Sequence, residues 1–232
     1  GYLGFALDPN FLTNGPIYMM YTVDRHYLMN YGTGSYSATT NEYYAATIMR
    51  ITRYTAIGPN FNTVDYGSRF VLLGETRQTG VPLLYESHST GSLVFGSDGT
   101  LMATVGDGAS YNGYDTGNAP DTYDGVALSN GMMRPAEDVG AMRSQLLNCH
   151  NGKLLRIDPN TGDGVPSNPY YDPAAPRSPK SRVWALGLRN PYRMTRKPGE
   201  GSSDPAAGNP GVFYIGDVGM GTWEESNVCY EA

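Results

Sequence analysis

Residues 92–105, Ser-Leu-Val-Phe-Gly-Ser-Asp-Gly-Thr-Leu-Met-Ala-Thr-Val, decide the fold of this chain. Two apolar segments flank the turn Gly96-Ser97-Asp98-Gly99, whose Gly and Asp residues tolerate the backbone angles of a tight connection. Residues 3–23 repeat this plan around Asp8-Pro9-Asn10, and residues 192–215 repeat it more loosely around a Gly-, Pro- and Ser-rich segment. A hairpin that recurs along a chain predicts an antiparallel β-protein built from similar units.

A second type of strand also occurs twice. Residues 46–53 and 153–158 both alternate apolar side chains with basic or polar ones. Such alternation predicts strands with one buried face and one exposed face.

The similar units are separated by roughly 90 residues, and the extra length lies in two long loops, residues 24–44 and 108–150. A β-sandwich would have shorter connections and no repeated hairpin. Radial repetition of small antiparallel sheets is the plan of a β-propeller. We therefore predict an all-β propeller, of which this chain covers three to four blades, with long loop insertions and at most one short helix, over residues 136–147.

Composition supports this fold class and excludes others. Of 232 residues, 30 are Gly and 16 are Pro, too many for a helical bundle, while the 40% hydrophobic fraction excludes a disordered chain. Charged residues are only 16% and Tyr accounts for 19 positions, a profile of large extracellular β-domains. We therefore expect a secreted, extracellular or periplasmic protein.

Charge and cysteine content narrow the range of partners. The net charge of −6 and the lack of any basic cluster predict no binding to nucleic acid. No apolar run is long enough for a membrane span. Cys149 and Cys229 allow one disulfide or two free thiols, and they exclude a cysteine-based zinc site.

The chain opens directly on an apolar, strand-like segment at residues 2–7 and closes on residues 225–230 without a polar tail. We therefore expect residues 1–232 to be part of a single β-propeller domain that is truncated at both ends, with further domains or subunits completing the ring.

His88 is the first candidate for chemistry, because it precedes a strand and its side chain titrates near neutral pH. It is either a general base or a loop histidine bonded to the backbone. Asp107 and Asp217 each leave a strand between glycines, in Val-Gly-Asp-Gly and Ile-Gly-Asp-Val-Gly. Such a repeated motif indicates a structural turn, but the same carboxylates could orient a histidine or hold a cation.

Arg189 and Asn190 stand before Pro191 at the end of an apolar run. This arrangement either presents a guanidinium and an amide to a planar anionic ligand, or packs the arginine at a seam between blades. The acidic loop at residues 115–125 does not match a calcium-binding EF-hand, which favours a solvated loop over a calcium site.

Several motifs, taken together and in order, resemble the glucose/sorbosone dehydrogenase family. They are Leu-Gly-Phe-Ala-Leu-Asp-Pro-Asn-Phe at 3–11, His88 before Leu-Val-Phe-Gly-Ser-Asp-Gly at 93–99, Gly-Lys-Leu-Leu-Arg-Ile-Asp-Pro at 152–159, Ala-Leu-Gly-Leu-Arg-Asn-Pro at 185–191 and Gly-Asp-Val-Gly at 216–219 with Trp-Glu-Glu at 223–225. The resemblance implies a six-bladed β-propeller that binds pyrroloquinoline quinone (PQQ) and calcium.

The resemblance also implies roles for individual residues. His88 matches the base that removes a sugar hydroxyl proton, Asp107 an acid near it, and Arg189 with Asn190 the pair that contacts the quinone. Gly219 and Met220 fall where the family holds calcium through the backbone carbonyls of a Gly-Pro pair. The chain departs from the family pattern at Ser87, where an acid is common, at the residues after His88, and at Met220.

Two functions follow from these matches and departures. The first is a PQQ- and calcium-dependent dehydrogenase of a sugar or polyol, with His88 as the base. The second is a non-catalytic extracellular propeller that binds glycans or neighbouring subunits through its Tyr-rich loops.

Overall fold

The computed structural model describes the backbone of residues 2–230 and the side chains of residues 4–230. Within this part of the chain, twelve strands form three antiparallel sheets. The strands are β1 (Tyr2–Leu7), β2 (Pro16–Thr22), β3 (Thr47–Ala56), β4 (Val64–Leu73), β5 (Val81–Leu83), β6 (Thr90–Phe95), β7 (Leu101–Val105), β8 (Lys153–Ile157), β9 (Val183–Leu186), β10 (Pro191–Arg196), β11 (Phe213–Asp217) and β12 (Glu225–Cys229). The α-helices are α1 (Phe11–Asn14), α2 (Arg25–Asn30), α3 (Asp124–Ser129) and α4 (Pro179–Arg182).

Each sheet is a meander in chain order. The first blade is β1-β2-β3-β4, with β5 added to the beginning of β3, the second is β6-β7-β8-β9, and the third is β10-β11-β12. The first strands of the blades contact one another, since β6 lies against both β1 and β10. Three small sheets with their first strands adjacent are the arrangement of neighbouring propeller blades, which confirms the predicted fold class.

The turn of the central hairpin is held by the aspartate of the opening motif. Oδ1 of Asp98 accepts hydrogen bonds from the Thr100 backbone N–H at 3.0 Å and from the Thr100 hydroxyl at 2.7 Å. Gly99 supplies the left-handed residue of the turn, with a φ of +77°. Local turn chemistry therefore fixes the register in which β6 and β7 pair.

Two of the three apolar clusters among the described residues are seams between blades, and β7 contributes to both. Leu101, Ala103 and Val105 face the first blade, where they join Met20, Ile51 and other buried side chains. Met102 faces the opposite way, toward a cluster of the second and third blades that includes Phe213. Alternate residues of one strand thus fill different seams, because side chains alternate across a sheet.

The prediction of one exposed face for the second type of strand is wrong. All five residues of β8 are buried, and only the end of β3 is partly exposed. The basic side chains are buried because protein groups bind their charged ends. Lys153 Nζ donates to the carbonyl oxygens of Arg143, Ser144 and Asn151 at 2.9, 2.9 and 2.7 Å. Burial lowers the pKa of Lys153 to about 8.

The helix predicted over residues 136–147 is also corrected. The structure has two 3₁₀ helices there, Pro135–Glu137 and Gly140–Gln145, and Gly140, which begins the second, has a φ of +55°. This left-handed residue interrupts a continuous α-helix. Four short α-helices occur elsewhere, so the expected limit of one helix is exceeded although the fold class holds.

Both cysteines are free thiols in the structure. Cys149 is buried, and burial raises the pKa of its thiol to about 11. Among residues 2–230, none of the helices has the length and apolar character that crossing a membrane requires.

Candidate active site

His88 and Asp107 form a buried pair at the end of the second blade where β6 begins and β7 ends. His88 Nδ1 lies 2.9 Å from Asp107 Oδ1, and the two residues are 3% and 2% exposed. The same carboxylate oxygen accepts the backbone N–H of Ala109 at 2.8 Å. The pair therefore has a fixed geometry, with the carboxylate orienting the imidazole.

The other ring nitrogen of His88 remains free to act. Nε2 has no hydrogen bond to another described residue, and it is not among the described buried side-chain atoms that lack a partner. When Nδ1 donates its proton to Asp107, Nε2 carries the lone pair and is a proton acceptor.

The backbone around this pair explains the Val-Gly-Asp-Gly motif. His88 adopts a φ of +51°, an uncommon conformation for a residue other than glycine. Its carbonyl accepts the backbone N–H of Gly108 at 3.0 Å. A Cβ atom at Gly106 would collide with that same carbonyl, so only glycine allows the two segments to approach.

Asp217 plays a different part from Asp107, although the two occupy the same motif. Its carboxylate accepts the backbone N–H groups of Arg189 at 2.9 Å and of Asn190 at 2.5 Å. Burial raises the pKa of Asp217, while these two backbone donors partly offset that shift. One aspartate thus orients a histidine, and the other holds the turn that carries Arg189 and Asn190.

The two halves of the site are joined directly. The backbone N–H of Asp107 donates to the carbonyl of Arg189 at 2.8 Å. His88, Asp107, Arg189 and Asn190 therefore lie in one hydrogen-bonded cluster across the second and third blades. Arg189 also donates to the Gly219 carbonyl at 3.0 Å, so five of the six candidate site residues, all but Met220, lie together.

Gly219 and Met220 do not fit a calcium ion in this arrangement. Arg189 Nη1 donates to the carbonyl oxygens of Val218 and Gly219 at 2.8 and 3.0 Å. A guanidinium therefore occupies the place of a cation at the Gly219 carbonyl, and it would repel calcium. Met220 is 45% exposed, and the described residues contain no group of three His, Cys, Asp or Glu side chains arranged for a metal.

A planar, anionic quinone fits the same residues better. The carboxamide of Asn190 and the Nε and Nη2 atoms of Arg189 make no hydrogen bond within the described part of the chain. These groups remain available for a ligand's carboxylates or carbonyl oxygens.

Arg143 is a residue of this region that the sequence did not reveal. It is fully buried and donates to the carbonyl oxygens of Gly108 and Glu137 at 3.3 and 2.8 Å and to Asp124 at 3.0 Å. It therefore ties the middle and the end of the long insertion to Gly108, the residue directly after Asp107. A single arginine within the predicted helix over residues 136–147 gives no sequence signal for such a role.

Comparison with known proteins supports the resemblance. The family model described as "Glucose / Sorbosone dehydrogenase" matches residues 1–202. The Hedgehog-interacting protein of Homo sapiens is 27% identical over 199 residues, which cover 83% of this chain and 22% of that protein. The HIPL1 protein of Arabidopsis thaliana is 27% identical over 164 residues, or 63% of this chain and 17% of that protein.

Solved structures show the same fold. The PQQ-bound aldose sugar dehydrogenase of Streptomyces coelicolor superposes with a TM-score of 0.56 at 19% identity, covering all of this chain and 46% of that one. The apo-form of the soluble aldose sugar dehydrogenase of Escherichia coli gives a TM-score of 0.55 at 17% identity and 47% coverage of its chain. This chain thus spans about half of these structures and about a fifth of the curated relatives. With the family model covering most of its length, the chain belongs to the glucose/sorbosone dehydrogenase family.

Proposed function

We propose that the intact protein oxidises a hydroxyl group of a sugar or polyol with a bound quinone, and that His88 is the general base. The observation that carries this proposal is the pair of His88 and Asp107, with Nδ1 held by the carboxylate and Nε2 free. Asp107 keeps the lone pair on Nε2, which removes the hydroxyl proton as the adjacent C–H bond is broken. When bound, PQQ would supply the acceptor for the hydride.

In this proposal Arg189 and Asn190 hold the quinone, and Asp217 fixes their position through the backbone. The proposal includes no calcium ion, because the Arg189 guanidinium already donates a hydrogen bond to the Gly219 carbonyl oxygen. The chain spans only about half of the dehydrogenases with which it superposes. We therefore propose that further domains or subunits complete the propeller and the cofactor site. We also propose that the protein acts outside the cytoplasm, as its low charge and Tyr-rich composition predict.

The experiment adds PQQ to the intact natural protein and follows sugar-dependent reduction of a dye across a set of aldoses and polyols. We expect His88→Ala and Asp107→Asn each to lower kcat by about 10²-fold or more. Asp204→Asn is the matched control, since Asp204 is exposed and caps the 3₁₀ helix Pro205–Ala207. Activity that is absent in the wild type, or unchanged in His88→Ala, would exclude the proposal.

A non-catalytic binding propeller is the second candidate. It is supported by the engagement of Arg189 at the Gly219 carbonyl and by the similarity to proteins named Hedgehog-interacting protein. A glycan array and a pull-down from extracellular material test it. Clear quinone binding without any partner would count against this candidate.

A further inference from the structure

A cleft of about 670 Å³ opens beside the segment that carries His88. One wall comes from Asn41, Tyr43 and Tyr44, at the end of the first insertion. The other wall includes Glu86 and Ser89, which bracket His88 in the chain. We call this space the tyrosine cleft. It differs from the cluster around Arg189, because its wall is built by an insertion of the first blade.

The tyrosines of this wall are presented to solvent. Tyr43 and Tyr44 are 75% and 77% exposed, so both rings are open to a ligand. Tyr44 also adopts a φ of +53°, a backbone conformation that costs free energy for a residue other than glycine. Rigid, amphipathic tyrosines provide contact area with little loss of conformational freedom, and their faces pack well against the C–H groups of a pyranose ring.

The cleft also offers hydrogen-bonding groups that the protein does not use. The carboxamide of Asn41 and the hydroxyls of Ser89 and Tyr123 make no hydrogen bond to another described residue. Glu86 receives one hydrogen bond, from the Tyr111 hydroxyl at 2.9 Å, which leaves its other oxygen available. A ligand rich in hydroxyl groups would satisfy such a mixture of donors and acceptors.

Charge restricts the ligand further. The cleft is lined by the acids Asp24, Glu42 and Glu86 and by no Lys, Arg or His. Glu42 is paired with Arg25, which lies outside the lining, while Asp24 accepts backbone N–H groups. The remaining negative potential disfavours sulfated or uronic-acid sugars.

The volume of the cleft, about 670 Å³, lies in the range of roughly 300–1,000 Å³ that holds drug-sized ligands. The cleft is therefore large enough for more than one sugar ring. We infer that the tyrosine cleft binds a neutral oligosaccharide, whose chain stacks on Tyr43 and Tyr44 and whose end extends toward His88. The inference rests on the proposed function and specifies its substrate as a neutral oligosaccharide chain. Binding in this cleft requires neither the quinone nor the proton transfer.

The test measures equilibrium binding by calorimetry, without cofactor, to the intact natural protein. The probes are cellotetraose, maltotetraose and mannotetraose, with tetragalacturonate as the anionic comparison. We expect at least one neutral tetrasaccharide to bind, and Tyr43→Ala/Tyr44→Ala to weaken that binding at least about fivefold. Tyr44→Phe should keep the stacking. Tyr66→Ala is the control, because Tyr66 is 83% exposed but lies outside the cleft.

Binding should persist in His88→Ala, which separates this inference from the dehydrogenase proposal. The inference is overturned if no neutral tetrasaccharide binds, if the double variant binds as tightly as the wild type, or if tetragalacturonate binds best. If one of these results is obtained while the protein still oxidises monosaccharides in a His88-dependent manner, only the inference about the cleft fails and the proposed function is retained.

Discussion

At the scale of single residues, the position of His88 depends on the absence of a side chain at Gly106. The backbone N–H of Gly106 donates to the Ser89 carbonyl at 2.8 Å, and a Cβ atom at this site would collide with the His88 carbonyl. The neighbouring backbone is not free to yield, because His88 is itself tied to Gly108. The geometry of the buried pair is thus determined by main-chain packing as much as by the side chains.

Gly106→Ala should therefore move His88 and destabilise the protein by about 1–3 kcal/mol, as overpacking does. Urea unfolding measures the loss of stability. Gly34→Ala is the matched control, because a Cβ there meets no atom within 4 Å. Equal stability of the two variants would mean that the His88 segment adapts without cost.

Whether a residue's role can be predicted from the sequence depends on whether its neighbours in the chain mark it. His88, Asp107, Arg189 and Asn190 sit at strand ends with Gly or Pro beside them, so their turns mark them in the sequence. Lys153 and Arg156 were expected on an exposed face, since a basic side chain in an alternating strand ordinarily faces water. Their burial depends on partners in loops that the sequence does not place.

At the scale of elements, the second blade is reinforced by an ion pair between its hairpin turn and its third strand. Arg156 Nη2 on β8 lies 2.7 Å from Asp98 Oδ2, and both side chains are fully buried. The guanidinium also stands 4.9 Å from the centroid of the Trp184 ring on β9. The turn, β8 and β9 are therefore coupled through one arginine.

We expect Asp98→Ala to cost about 3–5 kcal/mol of unfolding free energy, because it leaves a buried guanidinium without its counter-charge. Thermal and urea unfolding would measure the change. The comparison is Lys197→Ala, which breaks the exposed pair with Glu200 and should leave stability unchanged within error. A small effect of Asp98→Ala would show that water reaches Arg156.

The elements that the sequence predicted are the hairpins, since a short turn and two apolar strands are adjacent in the chain. It missed β4 and β12, which are outer strands with mostly exposed or partly exposed residues and no apolar alternation. It missed helices α1 to α4 because four to six residues are too few for helical periodicity. The tyrosine cleft was missed because its walls are about 45 residues apart in sequence.

At the scale of the whole molecule, the two outer blades present apolar side chains on their outward faces. Phe5 and Leu7 on β1 are 49% and 44% exposed, and Tyr214 and Val228, paired across β11 and β12, are 41% and 50% exposed. In a propeller each blade packs both faces against neighbours. These faces are where we expect further blades to pack.

The 1–232 chain expressed alone should consequently bind a hydrophobic dye and elute above the 25.1 kDa of a monomer in size-exclusion chromatography with light scattering. Phe5→Ser with Val228→Ser should reduce both effects. Leu12→Ser, at an 81% exposed position in α1, should not. A clean monomer without dye binding would contradict the expectation of neighbouring blades.

The three carbonyl oxygens around Lys153 make this part of the protein independent of metal ions. Backbone oxygens grouped in this way are typical ligands of a hard metal ion, but here the positive charge belongs to a side chain of β8. No chelator can extract it, and no change in metal supply can empty it. The segment from Arg143 to Asn151, which supports the loop after Asp107, should therefore keep its shape in EDTA.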